Sequence, residues 1–165
     1  MWDFEHSVEA PVSRERVWAL WTDIESWPSW NPGVVRAELD GPLAEGATGT
    51  VRASGGPASK LRVLGVDPER RFVTEASERL MRLRFDHELG DSQDGQLRIT
   101  QRVQMTGLAT PLMRRTIGPR LERSIPVALA NLVELGANHA RVPAGPALDV
   151  GPQGPDSLTR DRRLH

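Results

Sequence analysis

The run Leu97-Arg98-Ile99-Thr100-Gln101-Arg102-Val103-Gln104-Met105-Thr106, followed by Gly107-Leu108, decides the fold. Leu97, Ile99, Gln101, Val103 and Met105 fall on one side; Arg98, Thr100, Arg102 and Gln104 fall on the other. Period two marks a half-buried strand, here read over Gln96–Thr106. Past Leu108 the period changes. Leu121, Ile125, Ala128, Leu132, Leu135 and His139 recur at helical steps and form one apolar stripe. Gly118-Pro119 and Pro126 interrupt it, because proline removes a backbone donor and clashes with the preceding turn. The expectation is a long kinked helix, or a short helix followed by a longer one, ending near residue 140. A strand and a helix with one apolar side each must bury those sides against a partner.

Upstream, strand-length pieces alternate with turn chemistry. Val34–Leu39, Thr48–Ala53, Lys60–Val66, Phe72–Ser77 and Leu80–Leu89 are separated by Asp40-Gly41-Pro42, Gly55-Gly56-Pro57 and Asp67-Pro68-Glu69-Arg70. Gly90–Gly95 reads as a polar loop. Successive hairpins give an antiparallel sheet, and the lack of helical crossovers excludes a doubly wound parallel one. At the start, Trp2, Phe4, His6 and Val8 alternate with Asp3, Glu5, Ser7 and Glu9, so the first segment is also a strand. Ser13 is placed to cap a helix over Arg14–Thr22, with Val12 and Val17 as a hydrophobic staple. The prolines of Trp27-Pro28-Ser29-Trp30-Asn31-Pro32 leave room for a short helical turn only. The fold class is therefore α+β, an antiparallel sheet wrapped around a C-terminal helix, with short helices after the first strand.

Composition narrows the function. The 165 residues carry 38% hydrophobic and 26% charged residues and a formal net charge of -1, a globular balance for one folded unit. There is no cysteine, which removes disulfides, thiolate metal sites and cysteine nucleophiles. The near-neutral charge argues against bulk nucleic-acid binding. No run approaches the ~20 apolar residues of a membrane span, and the opening residues lack a signal-peptide pattern. A cytoplasmic location without stable membrane insertion is expected. A folded ligand-binding domain over 1–140 and a flexible Pro/Gly-rich tail over 141–165 complete the expected layout.

Three blocks carry a family resemblance. They are Ser7-Val8-Glu9-Ala10-Pro11-Val12-Ser13-Arg14-Glu15-Arg16-Val17-Trp18, then Ile24-Glu25-Ser26-Trp27-Pro28-Ser29-Trp30-Asn31-Pro32, then the closing strand and kinked helix from Thr106-Gly107-Leu108 through Pro119-Arg120-Leu121. Over about residues 2–140 the chain resembles the START-related helix-grip superfamily (SRPBCC). That group takes in polyketide cyclases/dehydrases, lipid-transfer domains and the birch-pollen-allergen fold. The resemblance implies a curved seven-stranded antiparallel sheet gripping the C-terminal helix, with an apolar cavity between them. It also implies that the first, seventh and sixth strands are neighbours.

Candidate site residues follow from the inward stripes. Met81, Leu83, Phe85, His87 and Leu89 share one side of the sixth strand. Three polar side chains, His6, His87 and Gln101, thus interrupt apolar stripes, and each needs a hydrogen-bond partner if buried. One reading makes His87 an acid/base or ligand-orienting group helped by Gln101; the other leaves both histidines satisfied locally near strand ends. Trp30 either contacts a flat ligand at the cavity mouth or packs the short helices; packing is expected of Trp18 and Trp21. Candidate lining comprises Leu83, Phe85, Ile99, Val103, Leu112, Leu121 and Ile125. Arg115 is a candidate contact for an acidic head, or a solvated surface arginine. No metal or other cofactor is expected, since His6, His87 and His139 match no ligand spacing.

Three functions compete on these terms. A binding module would hold a small or medium hydrophobic molecule: a lipid, polyketide or isoprenoid-like ligand. A cyclase/dehydratase-type enzyme would use His87 as acid/base. A protein-interaction module would dock a partner through Arg82, Arg84, Arg98, Arg102 and the tail. Binding ranks first, because no compact acid–base pair and no tyrosine is present. A monomer or homodimer is expected.

Overall fold

A computed structural model describes residues 1–138. His139 and the tail expected over 141–165 lie outside the described residues. Seven strands form one antiparallel sheet: β1 (Trp2–Ala10), β2 (Val34–Leu39), β3 (Thr48–Ala53), β4 (Ala58–Asp67), β5 (Arg71–Glu78), β6 (Met81–Asp91) and β7 (Leu97–Thr106). Their order is β1-β7-β6-β5-β4-β3-β2, so β2 to β7 form a meander and β1 closes onto β7. The expected neighbours β1, β7 and β6 are in place. The expected loop over Gly90–Gly95 is shorter than that: β6 runs to Asp91, where Asp91 still pairs with Leu97. The turn is confined to the residues around Gly95, whose φ of 72° suits glycine.

The helical segment between β1 and β2 spans the two edge strands and closes one end of the sheet. It holds α1 (Arg14–Thr22), one 3₁₀ turn (Ile24–Ser26) and α2 (Trp27–Trp30). Ser13 caps α1 by accepting from the Arg16 amide at 3.4 Å. Asn31 Oδ1 accepts from the Gly33 amide at 2.9 Å, an Asx turn that directs the chain into β2.

Past β7 come α3 (Thr110–Met113) and α4 (Gly118–Asn138), the short-then-long arrangement. Gly118-Pro119 starts α4, since proline at a first helical position loses an amide that had no partner anyway. Pro126 does not break α4; the helix runs through it. Burial of Ile125, Ala128, Leu129 and Leu132 on both sides of it holds the helix against the sheet. Asn131 Nδ2 donates to the Trp30 carbonyl at 2.8 Å, tying α4 to α2.

The contiguous core sits at the closed end. Val17, Trp21, Trp27, Trp30, Phe72, Leu89, Ile99, Ala128, Leu129 and Leu132 belong to it. Trp27 Nε1 donates to the Trp21 carbonyl at 2.9 Å, satisfying a polar handle inside that core. On the sheet's outer face, Arg98 pairs with Glu9 at 2.7 Å, Arg102 with Glu5, and Arg71 with Asp86. Two of the arginines considered for docking a partner are thus engaged within the sheet.

Candidate functional site

The inner face of the sheet carries the candidate residues in ladder rows. His6 lies opposite Gln101, and Gln101 opposite His87. Phe72 lies opposite His87 on the other side. One row therefore holds Phe72, His87, Gln101 and His6. The next row holds Val63, Thr74, Phe85, Val103 and Phe4. The three polar residues singled out in the sequence do share one wall.

Their environments differ. His87 is buried among aromatic rings. Its ring stacks on Phe72 at 4.1 Å with planes 1° apart, and Trp21 meets it edge-on at 5.0 Å. Its Nδ1 lies 3.3 Å from the Phe72 carbonyl oxygen. Burial pushes its pKa down to about 4, against the opposing effects of that carbonyl and of Asp86. The neutral ring is thus the species near pH 7, and it is a weak base. His87 is enclosed, with a local backbone neighbour and aromatic packing around it. His6 is half-buried.

Gln101 and Thr74 are different. Gln101 is 4% exposed and Thr74 is fully buried. Gln101 Oε1 and Thr74 Oγ1 have no hydrogen-bond partner. Neither adjacent histidine bonds that oxygen. A buried polar atom without a partner costs about 1–3 kcal/mol. Thr74 was not singled out from the sequence. Its signal was the alternation Phe72, Thr74, Ala76, which puts Thr74 on the face of Phe72.

The apolar residues around these atoms do not join the core. Val63, Val103, Met105 and Ile125 are buried, yet they stand outside the contiguous core cluster. Phe4, Leu83 and Phe85 on the strands and Leu121 on α4 are half-buried. This part of the inner face stands outside the contiguous core cluster. Trp2 packs on Gly118 at its end: a Cβ there would come within 3.3 Å of the indole.

The remaining candidates scatter. Ile99 and Trp30 are core. Trp30 carries packing rather than a mouth position, with its Nε1 3.4 Å from Ser26 Oγ. Leu112 is 65% exposed and Arg115 is exposed; both stand outside the wall, because α3 ends before α4 begins to cover the sheet. Two open grooves, of about 870 and 840 Å³, lie elsewhere. The first follows the outer side of β3 to β6, past Lys60, Arg62 and Glu75; the second lies beside the β4–β5 turn and Arg14. Their mixed charge and openness do not suit an apolar ligand.

Solved structures share this architecture. A hypothetical protein from Helicobacter pylori matches with a TM-score of 0.69 at 11% identity, over 81% of this chain and 86% of that one. The di-domain ARO/CYC StfQ from the steffimycin biosynthetic pathway matches at 0.68 and 13% identity, over 84% of this chain and 51% of its own. A START superfamily protein from Mycobacterium smegmatis matches at 0.63 and 14% identity, over 83% and 98%. At such identities the likeness establishes the helix-grip fold. No curated protein sequence matches the chain. No helix of the described residues is long and apolar enough to cross a membrane. The family model described as polyketide cyclase / dehydrase and lipid transport matches residues 1–135, and the chain belongs to that family.

Proposed function

We propose that the chain binds a small or medium, mostly apolar molecule bearing a polar group, against the inner wall of β1, β7, β6 and β5 beneath α4. The ligand class is lipid, polyketide or isoprenoid-like. Four buried side-chain atoms lack a hydrogen-bond partner among the described residues: Trp21 Nε1 in the core, Thr110 Oγ1 on α3, and Gln101 Oε1 and Thr74 Oγ1 on the inner face of the sheet; the last two, set among apolar residues outside the core cluster, carry this reading. Native structures rarely leave such atoms unmet, and polar groups of a bound molecule would satisfy them. Val103, Phe85, Leu83, Leu121 and Ile125 supply apolar contact. Burial at ~25 cal/mol per Å² is enough for micromolar affinity.

The family description names both turnover and transport. Binding without turnover is favoured by the state of His87, held neutral with a pKa of about 4 and stacked on Phe72.

Native mass spectrometry of freshly purified protein, with melting curves against a long-chain alcohol and the matching alkane, tests the reading. A co-purified apolar ligand and a larger melting shift with the alcohol are expected. Gln101→Leu with Thr74→Val should erase the alcohol's advantage. Absence of any ligand or shift, or an alcohol preference that survives the double variant, overturns it.

A further inference from the structure

Six large hydrophobic side chains are strongly exposed among the described residues, and three of them lie on segments joined by backbone hydrogen bonds. Leu80 occupies the β5–β6 turn, Leu108 the link from β7 to α3, and Leu112 lies on α3. They are 58%, 86% and 65% exposed. The turn and the link are stitched together: the Ala109 amide donates to the Leu80 carbonyl at 3.1 Å. Gly107, with φ of 113°, lets that approach happen, since a Cβ there would lie 2.4 Å from the Leu80 oxygen. The juxtaposition is thus built into the backbone.

Arginines surround the leucines. Arg79 precedes Leu80, and Arg114 and Arg115 follow Leu112. All three are exposed and make no ion pair among the described residues. The nearest acid in sequence, Glu78, accepts from Ser59 Oγ at 2.7 Å. On the outer face Arg71, Arg98 and Arg102 are neutralised by carboxylates of neighbouring strands. The three arginines of the tip have no such partner among the described residues, and here they stand beside exposed leucines.

We propose that this tip docks the protein reversibly on an anionic lipid surface, with Leu80, Leu108 and Leu112 entering the acyl boundary. Arg79, Arg114 and Arg115 sit at the level of the lipid phosphates. A protein partner would need a broader contact of ~800 Å² per side with an anchoring pocket. Protruding leucines ringed by cations fit a fluid, negatively charged surface instead, where a weak apolar signal and a weak charge signal act together. The inference does not depend on what the inner wall holds. Vesicle binding and ligand binding are read by separate assays.

Flotation of the full chain with vesicles of phosphatidylcholine, alone and mixed with phosphatidylglycerol, is the test. Binding to the mixed vesicles, none to the neutral ones, and release by high salt are expected. Arg114→Gln and Arg115→Gln should each weaken partitioning about fivefold. Leu80→Ser with Leu108→Ser should abolish it while leaving the melting temperature unchanged. Should the double variant unfold, Leu108→Ser alone decides, since that side chain is 86% exposed. The proposal fails if the wild type ignores anionic vesicles, or if the leucine variants still float. A leucine-dependent dimer in sedimentation velocity, without vesicle binding, would give the tip to a second copy and also sink it.

Discussion

The two ends of the inner face are built from the same alternating strands yet are finished differently. At the closed end, α1, α2 and the second half of α4 converge on Phe72, and the tryptophans pack edge-on around it. Trp18 and Trp21 both meet the Phe72 ring at near-right angles, at 5.7 and 5.8 Å. At the other end, Val63, Val103 and Met105 are as buried as any core residue but do not join the core. Burial is the same at the two ends, while membership of the contiguous core is not. A side chain can be shielded from water without touching enough neighbours to gain the dispersion energy of a filled interior. The two ends thus differ in whether their buried residues join the contiguous core.

The sharpest way to break this comparison is to truncate one side chain at each end. Leu132→Ala removes a fully buried core leucine and should cost about 4 kcal/mol of unfolding free energy. Met105→Ala, equally buried but outside the core, should cost about 2 kcal/mol or less. Urea unfolding measures both. Equal costs would mean that the wall around Met105 is packed after all, and would remove the space the ligand reading needs.

Next in size is the pH dependence of the closed end. His87 has its pKa lowered from 6.5 to about 4 in the folded chain. Between those values the unfolded chain takes up a proton that the folded chain refuses. Stability is therefore complete above about pH 6.5 and is lost as pH falls toward 4, by roughly 3 kcal/mol in all. His87→Phe keeps the stack on Phe72 and should flatten that slope. Asp86 does not obscure the result. Burial pushes its carboxyl up, but the Arg71 guanidinium outweighs this and holds it below the ordinary value. Its contribution is lost only at still lower pH. A His87→Phe variant with the wild-type pH profile would show that the ring is not held neutral by the aromatic cage.

A smaller effect is expected of Trp27→Phe. It keeps most of the ring but deletes the bond to the Trp21 carbonyl, leaving that oxygen unmet in the core. A loss of about 1–2 kcal/mol in urea unfolding is expected. No loss would mean that the closed end is held by ring packing alone.

The inward sets of β1, β6 and β7 were legible in the sequence because period two runs through them, whereas β2 and β4 carry register shifts and β5 buries Phe72, Val73 and Thr74 in succession. The long helix was legible from the stripe Leu121 to Leu135. Of the two expected arrangements, a short helix followed by a longer one is present, and α4 runs through Pro126 because burial on both sides of it outweighs one lost backbone bond. The row His6, Gln101, His87 was also legible, through register. What each member does was not. The difference between His87 and Gln101 depends on which neighbours reach each one, and those come from α1 and β5, far away in sequence. Leu112 and Arg115 were misplaced for a similar reason: a helical stripe says which residues share a side, not where the helix starts to cover the sheet. Thr74 escaped notice because threonine in a strand is ordinary, and only the missing partner of its hydroxyl makes it informative.

That missing partner gives the smallest and most discriminating prediction. Thr74→Val keeps the shape of a β-branched side chain and removes the unmet hydroxyl. If the hydroxyl were part of the architecture, its loss would destabilise the fold. If it is held in reserve for a ligand, the ligand-free protein should gain stability, by about 1 kcal/mol or slightly less, because an unmet buried group disappears. The same variant should bind an apolar alcohol less tightly than the wild type does, so stability and affinity move in opposite directions. Such opposition is the mark of a site whose polar atoms are kept unsatisfied for function rather than for folding. Melting curves of Thr74→Val with and without the alcohol read both quantities in one experiment. A loss of stability in the ligand-free state would place Thr74 with the closed end, as structure, and leave Gln101 as the sole polar anchor of the wall.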